Sequence, residues 1–310
     1  MKNEHTPLGP GAEFDAIRTV LARWGARARA VGDDAAILSV ARGDELVVSV
    51  DCAVEGRHFK PGWLQPHEIG YRAVAAALSD LAAMASTPIG VLISLITPVV
   101  WISHLDELAE GIGEAVDVAE THIVGGNMSA GSELSITTTV LGSAFAPLPR
   151  SGARDGDSIY LTGVIGGAGA ALADFESGSS NVRFRERFAR PMARLREARW
   201  LATRGATAAI DVSDGLAADL THLAAASGRT LVIDADAIPC VDGVSLRDAL
   251  ESGEEYELVV TASNPFDVDD FMRRFEIPLT RIGRVAAGAP RVEWHGARVA
   301  NVHGHDHFSI

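Results

Sequence analysis

Four acidic clusters stand at the edges of apolar runs: Gly32-Asp33-Asp34, Ser49-Val50-Asp51, Ser79-Asp80 and Asp211-Val212-Ser213-Asp214-Gly215. Asp51 ends a run of Leu46, Val47, Val48 and Val50, and Asp211 follows Ala208-Ala209-Ile210 in the same way. Carboxylates flanked by hydroxyls are the ligands that hard, oxygen-seeking cations require. Asp80 is the sharpest anomaly, because a helix would put it on one narrow face with Ile69, Ala73, Ala76, Ala77 and Met84. An unpaired carboxylate there costs several kcal/mol, so it should have a partner, and a cation is an obvious one. Any one cluster alone reads as a helix-terminal or solvent-facing Asp. The four together point to metal.

Chemistry that uses several cations is phosphoryl transfer, where Mg²⁺ bridging anionic oxygens removes much of the repulsion between two phosphates. No GxxxxGK[ST] loop is present, which excludes a P-loop enzyme. The run Thr162-Gly163-Val164-Ile165-Gly166-Gly167-Ala168-Gly169 follows a strand pattern and precedes a helix pattern. Its spacing is not GxGxxG, and Asp174 and Glu176 come too early for a ribose contact, so a tight strand-to-helix turn is the favoured reading. The alternating His303, His305 and His307 would share one face of a strand, as zinc ligands can, but no cysteine lies nearby. His58, just after the Asp51 cluster, stands where it could reach a substrate; alone it reads as a surface histidine.

These clusters need a scaffold, and the 310 residues supply one: 47% are apolar and 22% charged, typical of a packed globular chain with two domains or one large one. A net charge of −14 argues against nucleic acid as a partner. The most apolar stretch, Ile89 to Ile102, is interrupted by Thr97 and Pro98 and is too short for a membrane span. Only Cys52 and Cys240 are present and the first eleven residues carry no secretory apolar core, so a cytoplasmic location is expected.

Helical spacing covers Glu13 to Trp24, Pro66 to about Ser86, Ser103 to Glu120, Gly215 to Ser227 and Asp267 to Phe275. Extended runs fall at Ala35–Val40, Glu45–Val50, Ile89–Thr97, His122–Val124, Leu134–Leu141, Ser158–Leu161, Ala208–Ile210, Leu231–Ile233 and Tyr256–Thr261. Ser177 to Arg190, polar and rich in Arg, is the least ordered candidate. Pro147 and Pro149 bracket a polar stretch, which places a boundary between residues 1–148 and 149–310. Strands mixed irregularly with helices predict an α/β (α+β) fold of two α/β sandwich domains.

Taken in order, these segments resemble the thiamine-monophosphate kinase family, part of an ATP-binding superfamily with aminoimidazole ribonucleotide synthetase and selenophosphate synthetase. The resemblance is carried by VGDDAAIL (31–38), SVDCAVEGRHF (49–59), GYRAVAAALSDLAAM (70–84) and IVGGNMSAGSELSIT (123–137). It continues through RSGARDGDSIYLTG (150–163), AIDVSDGLAADLTHL (209–223), GEEYEL (253–258) and GHDHF (304–308). It implies ATP-dependent phosphorylation of thiamine monophosphate to thiamine diphosphate, with ATP as co-substrate and several Mg²⁺ ions. Asp34, Ser49, Asp51, Asp80, Asp211 and Asp214 match Mg²⁺ ligands. Gly126, Asn127, Arg150 and Ser213 match nucleotide contacts, and His58, Glu254 and His305 match contacts to the thiamine phosphate. The resemblance also implies a homodimer whose N-terminal strands build a barrel across the interface. This sequence departs from the family pattern at Val50 for Thr, Asn127 for Asp, Ala77 for Asn, and His305 for Trp or Tyr.

The expected reaction is in-line attack by a thiamine-monophosphate oxygen on the γ-phosphorus of ATP, with no residue as covalent nucleophile or base. The alternative is a non-catalytic or differently specific nucleotide-binding member of the superfamily, favoured by Val50 and Asn127. The absence of a cysteine before Cys52 disfavours selenophosphate synthetase, and the GEF-like Ala12-Glu13-Phe14, VEGRHF and GHDHF segments disfavour aminoimidazole ribonucleotide synthetase.

Overall fold

The structure, a computed structural model, describes residues 12–29 and 38–296, arranged as two compact units. Asp34, His305 and residues 35–37 of the expected Ala35–Val40 strand lie outside the described residues, and residues 38–40 are described but form no strand.

The first unit comprises residues up to Leu81 together with Thr87–Ala146. Its elements are α1 (Ala12–Trp24), β1 (Glu45–Val54), α2 (Pro66–Ala83), β2 (Thr87–Thr97), α3 (Leu105–Val118), β3 (Ile123–Ala130) and β4 (Ser135–Ala144). Pro66 suits the first helical position of α2, where its missing N–H would have no helical acceptor. Glu68 reaches back to accept the Gln65 amide at 2.7 Å. The strands form a sheet in the order β1-β4-β2-β3, with β3 parallel to β2 and the other pairs antiparallel. One face is core, with Val91, Ile93, Leu95, Ile136, Thr138 and Val140 all buried. Helices α2 and α3 cross closely, since a Cβ on Gly70 would collide with the Leu108 carbonyl and one on Gly111 with that of His67. α1 is tied to α3 by the Trp24 indole, which donates to the Ala109 carbonyl at 3.0 Å, and by an Arg23–Asp106 pair. The other face of the sheet is open at β1, where Leu46, Val48 and Val50 are 54%, 54% and 61% exposed.

The second unit comprises Ala82–Ser86 and the described residues from Pro147 onward. It runs β5 (Ser158–Thr162), α4 (Gly167–Glu176), α5 (Arg185–Ala189), α6 (Leu195–Thr203), β6 (Ala206–Asp211) and α7 (Leu216–Ser227). Then come β7 (Thr230–Asp234), α8 (Leu246–Glu251), β8 (Leu258–Ala262), α9 (Val268–Phe275), β9 (Leu279–Ala286) and β10 (Arg291–His295). The sheet order is β10-β7-β9-β5-β8-β6, antiparallel except for the β10–β7 pair. One face buries Ile159, Leu161, Ile210, Leu231 and Val259 against Leu216, Leu220 and Leu223 of α7. Tyr160, alternating to the opposite face, meets Phe266, which packs on Trp200 of α6 beside Phe271 and Phe275 of α9.

Several segments differ from expectation, among them the following. Ser177–Arg190 is ordered: Arg183 pairs with Asp174 at 3.1 Å, and α5 buries Phe188 fully against this unit. β9 and β10 lack a plain alternating pattern. In β9 the buried residues Leu279, Ile282 and Val285 fall three apart, because the pairing with β5 shifts register between Ile159 and Tyr160. No described helix is long and apolar enough to cross a membrane.

Candidate active-site residues

In the first unit, Ser49 and Asp51 lie two apart on β1 and so share one face, the face that α2 covers. The Ser49 hydroxyl donates to Asp80 Oδ2 at 2.5 Å, so the polar partner demanded by an acid on an apolar helix face includes a hydroxyl from the neighbouring strand. Asp51 is exposed and accepts the amide of Cys52 at 2.7 Å through Oδ1. Beyond β1 the chain turns tightly, with the His58 amide donating to the Val54 carbonyl. His58 Nδ1 in return accepts the Val54 amide at 3.0 Å, which leaves the proton of a neutral imidazole on Nε2. Glu55 anchors this turn by accepting from the Leu134 amide at 3.0 Å and the Trp101 indole at 3.1 Å.

Gly126 and Asn127 sit on β3, the opposite edge of the same sheet. The register runs Cys52–Thr137–Ser94–Asn127 across the four strands, which puts Asn127 on the open face and Asp51 on the covered one. Three inter-strand steps amount to about 14 Å. This unit therefore brings Ser49, Asp51 and Asp80 together, with His58 a few residues on, and holds Asn127 apart from them.

In the second unit, β6 ends at Asp211, and the loop after it carries Ser213 and Asp214. Asp211 is buried at the strand end. The loop is held by three main-chain bonds: Val212 N to Glu257 O (2.8 Å), Tyr256 N to Val212 O (2.9 Å) and Glu254 N to Ser213 O (2.7 Å). Gly215 then turns with φ of 107°, a conformation that side chains with a Cβ rarely adopt. Glu254 and Tyr256 also hold positive φ, 59° and 52°, a strain that the flanking bonds keep in place. Arg150 is elsewhere. Its carbonyl accepts the Ser227 hydroxyl at 2.6 Å at the C-terminal end of α7, whereas Ser213 and Asp214 precede the N-terminal end. Twelve helical residues separate them by roughly 18 Å.

Three acids outside the sequence-derived set shape this region. Asp219, in the first turns of α7, accepts both loop amides through Oδ2, from Ser213 at 3.1 Å and Asp214 at 3.2 Å. Burial, then the charges of Asp211 and Asp214, push its pKa up to about 8 against the pull of those two amides. Glu257 is fully buried and gripped by Arg194 through two bonds of 2.8 and 2.5 Å, with the Thr162 hydroxyl adding a third at 2.7 Å. Burial opposes the Arg194 charge, yet the Glu257 carboxylate prevails and holds the guanidinium pKa above its ordinary value. Glu255 accepts the amides of Gly166 (2.8 Å) and Ala168 (2.9 Å) at the start of α4. The glycine run thus meets a carboxylate of its own chain, in keeping with the structural turn expected of it. Burial raises the Glu255 pKa, partly offset by the Ser252 hydroxyl 2.5 Å away. The signal for Asp219 was present in the spacing of Asp211, Asp214 and Asp219; Glu255 and Glu257 offered only their unusual density of acid.

Two mixed α/β units, each presenting acids at strand ends, define a class that the comparisons make explicit. Residues 32–144 match the model of AIR synthase related protein, N-terminal domain, and residues 154–295 match that of the C-terminal domain. The thiamine-monophosphate kinase of Salmonella typhimurium is 34% identical over 300 residues, covering 90% of this chain and 91% of its own. The crystal structure of thiamine-monophosphate kinase from Stenotrophomonas maltophilia K279a is 32% identical with a TM-score of 0.81, covering 92% of this chain and 97% of that one. AaThiL complexed with AMPPCP and TMP is 27% identical with a TM-score of 0.77, covering 98% of this chain and all (100%) of that one. This chain belongs to the thiamine-monophosphate kinase family.

Proposed function

We propose that this chain is an ATP-dependent kinase that converts thiamine monophosphate to thiamine diphosphate. The observation that carries the reading is the end-to-end match to a relative solved with AMPPCP and TMP, which covers 98% of this chain. The acceptor is a phosphate already anionic at neutral pH, so the reaction asks no side chain to act as base or covalent nucleophile. Positioning and charge neutralisation supply the catalysis.

Mg²⁺ is the proposed cofactor, held by Asp51, Asp80 and Ser49 in one unit, by Asp211 and Asp214 in the other, and by Asp34. The donor set suits it. Burial first, and then the negative charges of Asp211 and Asp214, drive the Asp219 pKa to about 8, and a cation beside these acids relieves the second cause. Among the described residues no group of three or more His, Cys, Asp or Glu side chains is arranged to hold a metal alone, so phosphate oxygens would complete the coordination. When bound, the ions neutralise the phosphates of both substrates. Ser49 orients the Asp80 carboxylate, Asp219 fixes the Ser213–Asp214 amides, and the Nε2–H of His58 donates to the acceptor phosphate. Glu254 and His305 complete the proposed thiamine-phosphate contacts; Gly126, Asn127, Arg150 and Ser213 are the proposed nucleotide contacts.

The proposed functional form is a cytoplasmic homodimer, with domains at 1–148 and 149–310. Supporting the dimer, β1 is an edge strand whose Leu46, Val48 and Val50 expose apolar surface that a second copy, closing a barrel, would cover. A coupled assay for ADP release, run with and without thiamine monophosphate, tests the function. ADP formed only when thiamine monophosphate is present supports it. Release independent of that substrate, or none at all, overturns it.

A further inference from the structure

Helices α6 and α9 flank a surface groove of about 360 Å³ whose lining includes Arg196, Arg199, Trp200, Thr203, Arg204 and Arg274. Four of the groove's residues are arginines and none is a carboxylate, in a chain with 27 Lys and Arg against 41 Asp and Glu. Arg204 lies 3.8 Å from Asp270 and stacks over the Trp200 ring at 3.9 Å. Arg196 and Arg274 make no hydrogen bond or ion pair to another described residue. Like charges gathered in one concavity repel one another, a cost that an anion between them reverses. Guanidinium groups are planar forks suited to bidentate phosphate recognition. Trp200 of this wall is only 6% exposed, and its indole N–H, sealed from solvent, has no acceptor among the described residues.

The groove is separate from the loop that carries Asp211 and Asp214. Arg204 lies two residues before Ala206, the first residue of β6, and Asp211 ends that strand about 17 Å beyond Ala206. α6 and α9 also pack on the Tyr160 side of the sheet, the face opposite α7. We infer that this groove is a second anion site, built for a small oligophosphate and recognising phosphate charge rather than a base. Arg204 already stacks on the Trp200 ring, and Phe266, Phe271 and Phe275 crowd the indole, which leaves it poorly placed to stack on a nucleobase.

This inference does not rest on the proposed kinase activity, and its test does not use that activity. Tripolyphosphate is titrated calorimetrically into the full chain in EDTA, where the acidic clusters lack cations and repel polyanions. The expected result is one tripolyphosphate per chain, weakened about tenfold or more in an Arg196→Ser/Arg274→Ser variant, as loss of two charge-assisted contacts implies. The Arg196→Lys/Arg274→Lys variant should retain intermediate binding, and unchanged melting of both variants separates lost contacts from lost fold. ATP titrated in the same buffer should bind no more tightly than tripolyphosphate. Absence of binding to wild type, or equal binding to the Ser variant, overturns the site. ATP binding tenfold tighter than tripolyphosphate overturns its indifference to the base.

Discussion

Replacing Arg194 by Met strips the partner from a carboxylate that has no exposed surface. Glu257 is 0% exposed and the Arg194 side chain 12%, so neither charge can turn to bulk water without opening the fold. The pair is bidentate at 2.8 and 2.5 Å, and without it Glu257 keeps only the 2.7 Å bond from Thr162 among the bonds described above. Breaking a buried ion pair from one side costs about 3–5 kcal/mol, whereas replacing both members with apolar side chains of similar volume is often neutral. Arg194→Met and Glu257→Met should each lose ~3–5 kcal/mol, and the double variant should recover to within ~1–2 kcal/mol of wild type, the remainder being the orphaned Thr162 hydroxyl. Urea unfolding followed by circular dichroism and by tryptophan fluorescence measures all four corners of this cycle. Because the Glu257 carbonyl also holds the Val212 amide, the single variants should raise the Mg²⁺ concentration needed for half-maximal rate. Single variants that lose less than ~1 kcal/mol, or a double variant no better than the singles, would refute the claim that the pair is confined and mutually dependent.

Asp80→Asn keeps the side-chain shape but removes one ligand charge, so turnover should vanish while the circular dichroism spectrum is preserved; near-normal activity at ordinary Mg²⁺ counts against the assignment. Asp219 has a folded pKa of about 8, far above its unfolded value near 3.9. Its contribution to stability is therefore complete below about pH 4 and is lost as pH rises through about 8. In EDTA, unfolding free energy should fall across that window, and either Asp219→Asn or added Mg²⁺ should flatten the fall; parallel profiles would contradict this. Gly126→Ala would drive a methyl into the Ile93 carbonyl, so β3 must shift at a cost of ~1–3 kcal/mol, read as a lowered melting temperature.

The helices that position the site were legible because their apolar spacing and end signals agree, as with Pro66 opening α2 and Gly228 closing α7 at φ of 61°. The strand ending at Asp211 was legible for a similar reason, since Ala208-Ala209-Ile210 is buried on both faces and reads as a continuous apolar run. β9 was illegible because a register shift breaks its period of two, and α5 because one buried aromatic, Phe188, outweighs a polar neighbourhood. Site residues emerged where chemistry coincided with an apolar edge, as at Asp51 and Asp211. The separations of Asn127 from Asp51 and of Arg150 from Ser213 could not be read from order along the chain, because sheet order and helix length set them. Glu257 escaped for another reason: its role depends on an arginine 63 residues distant, which no local pattern announces.

The carboxylate of Glu255 at the head of α4 has a consequence for what that glycine-rich turn can ever bind. A helix head with open amides competes for whatever anions the surroundings contain. Here the competitor is tethered, and a well-placed intramolecular group acts at an effective concentration far beyond the millimolar levels of free phosphate compounds. Occupancy of the turn therefore stays constant while nucleotide levels fluctuate. The feature that most resembles a nucleotide loop in the sequence is thereby insulated from nucleotides, and its helix dipole serves to lock the Ser252–Glu257 strap in place.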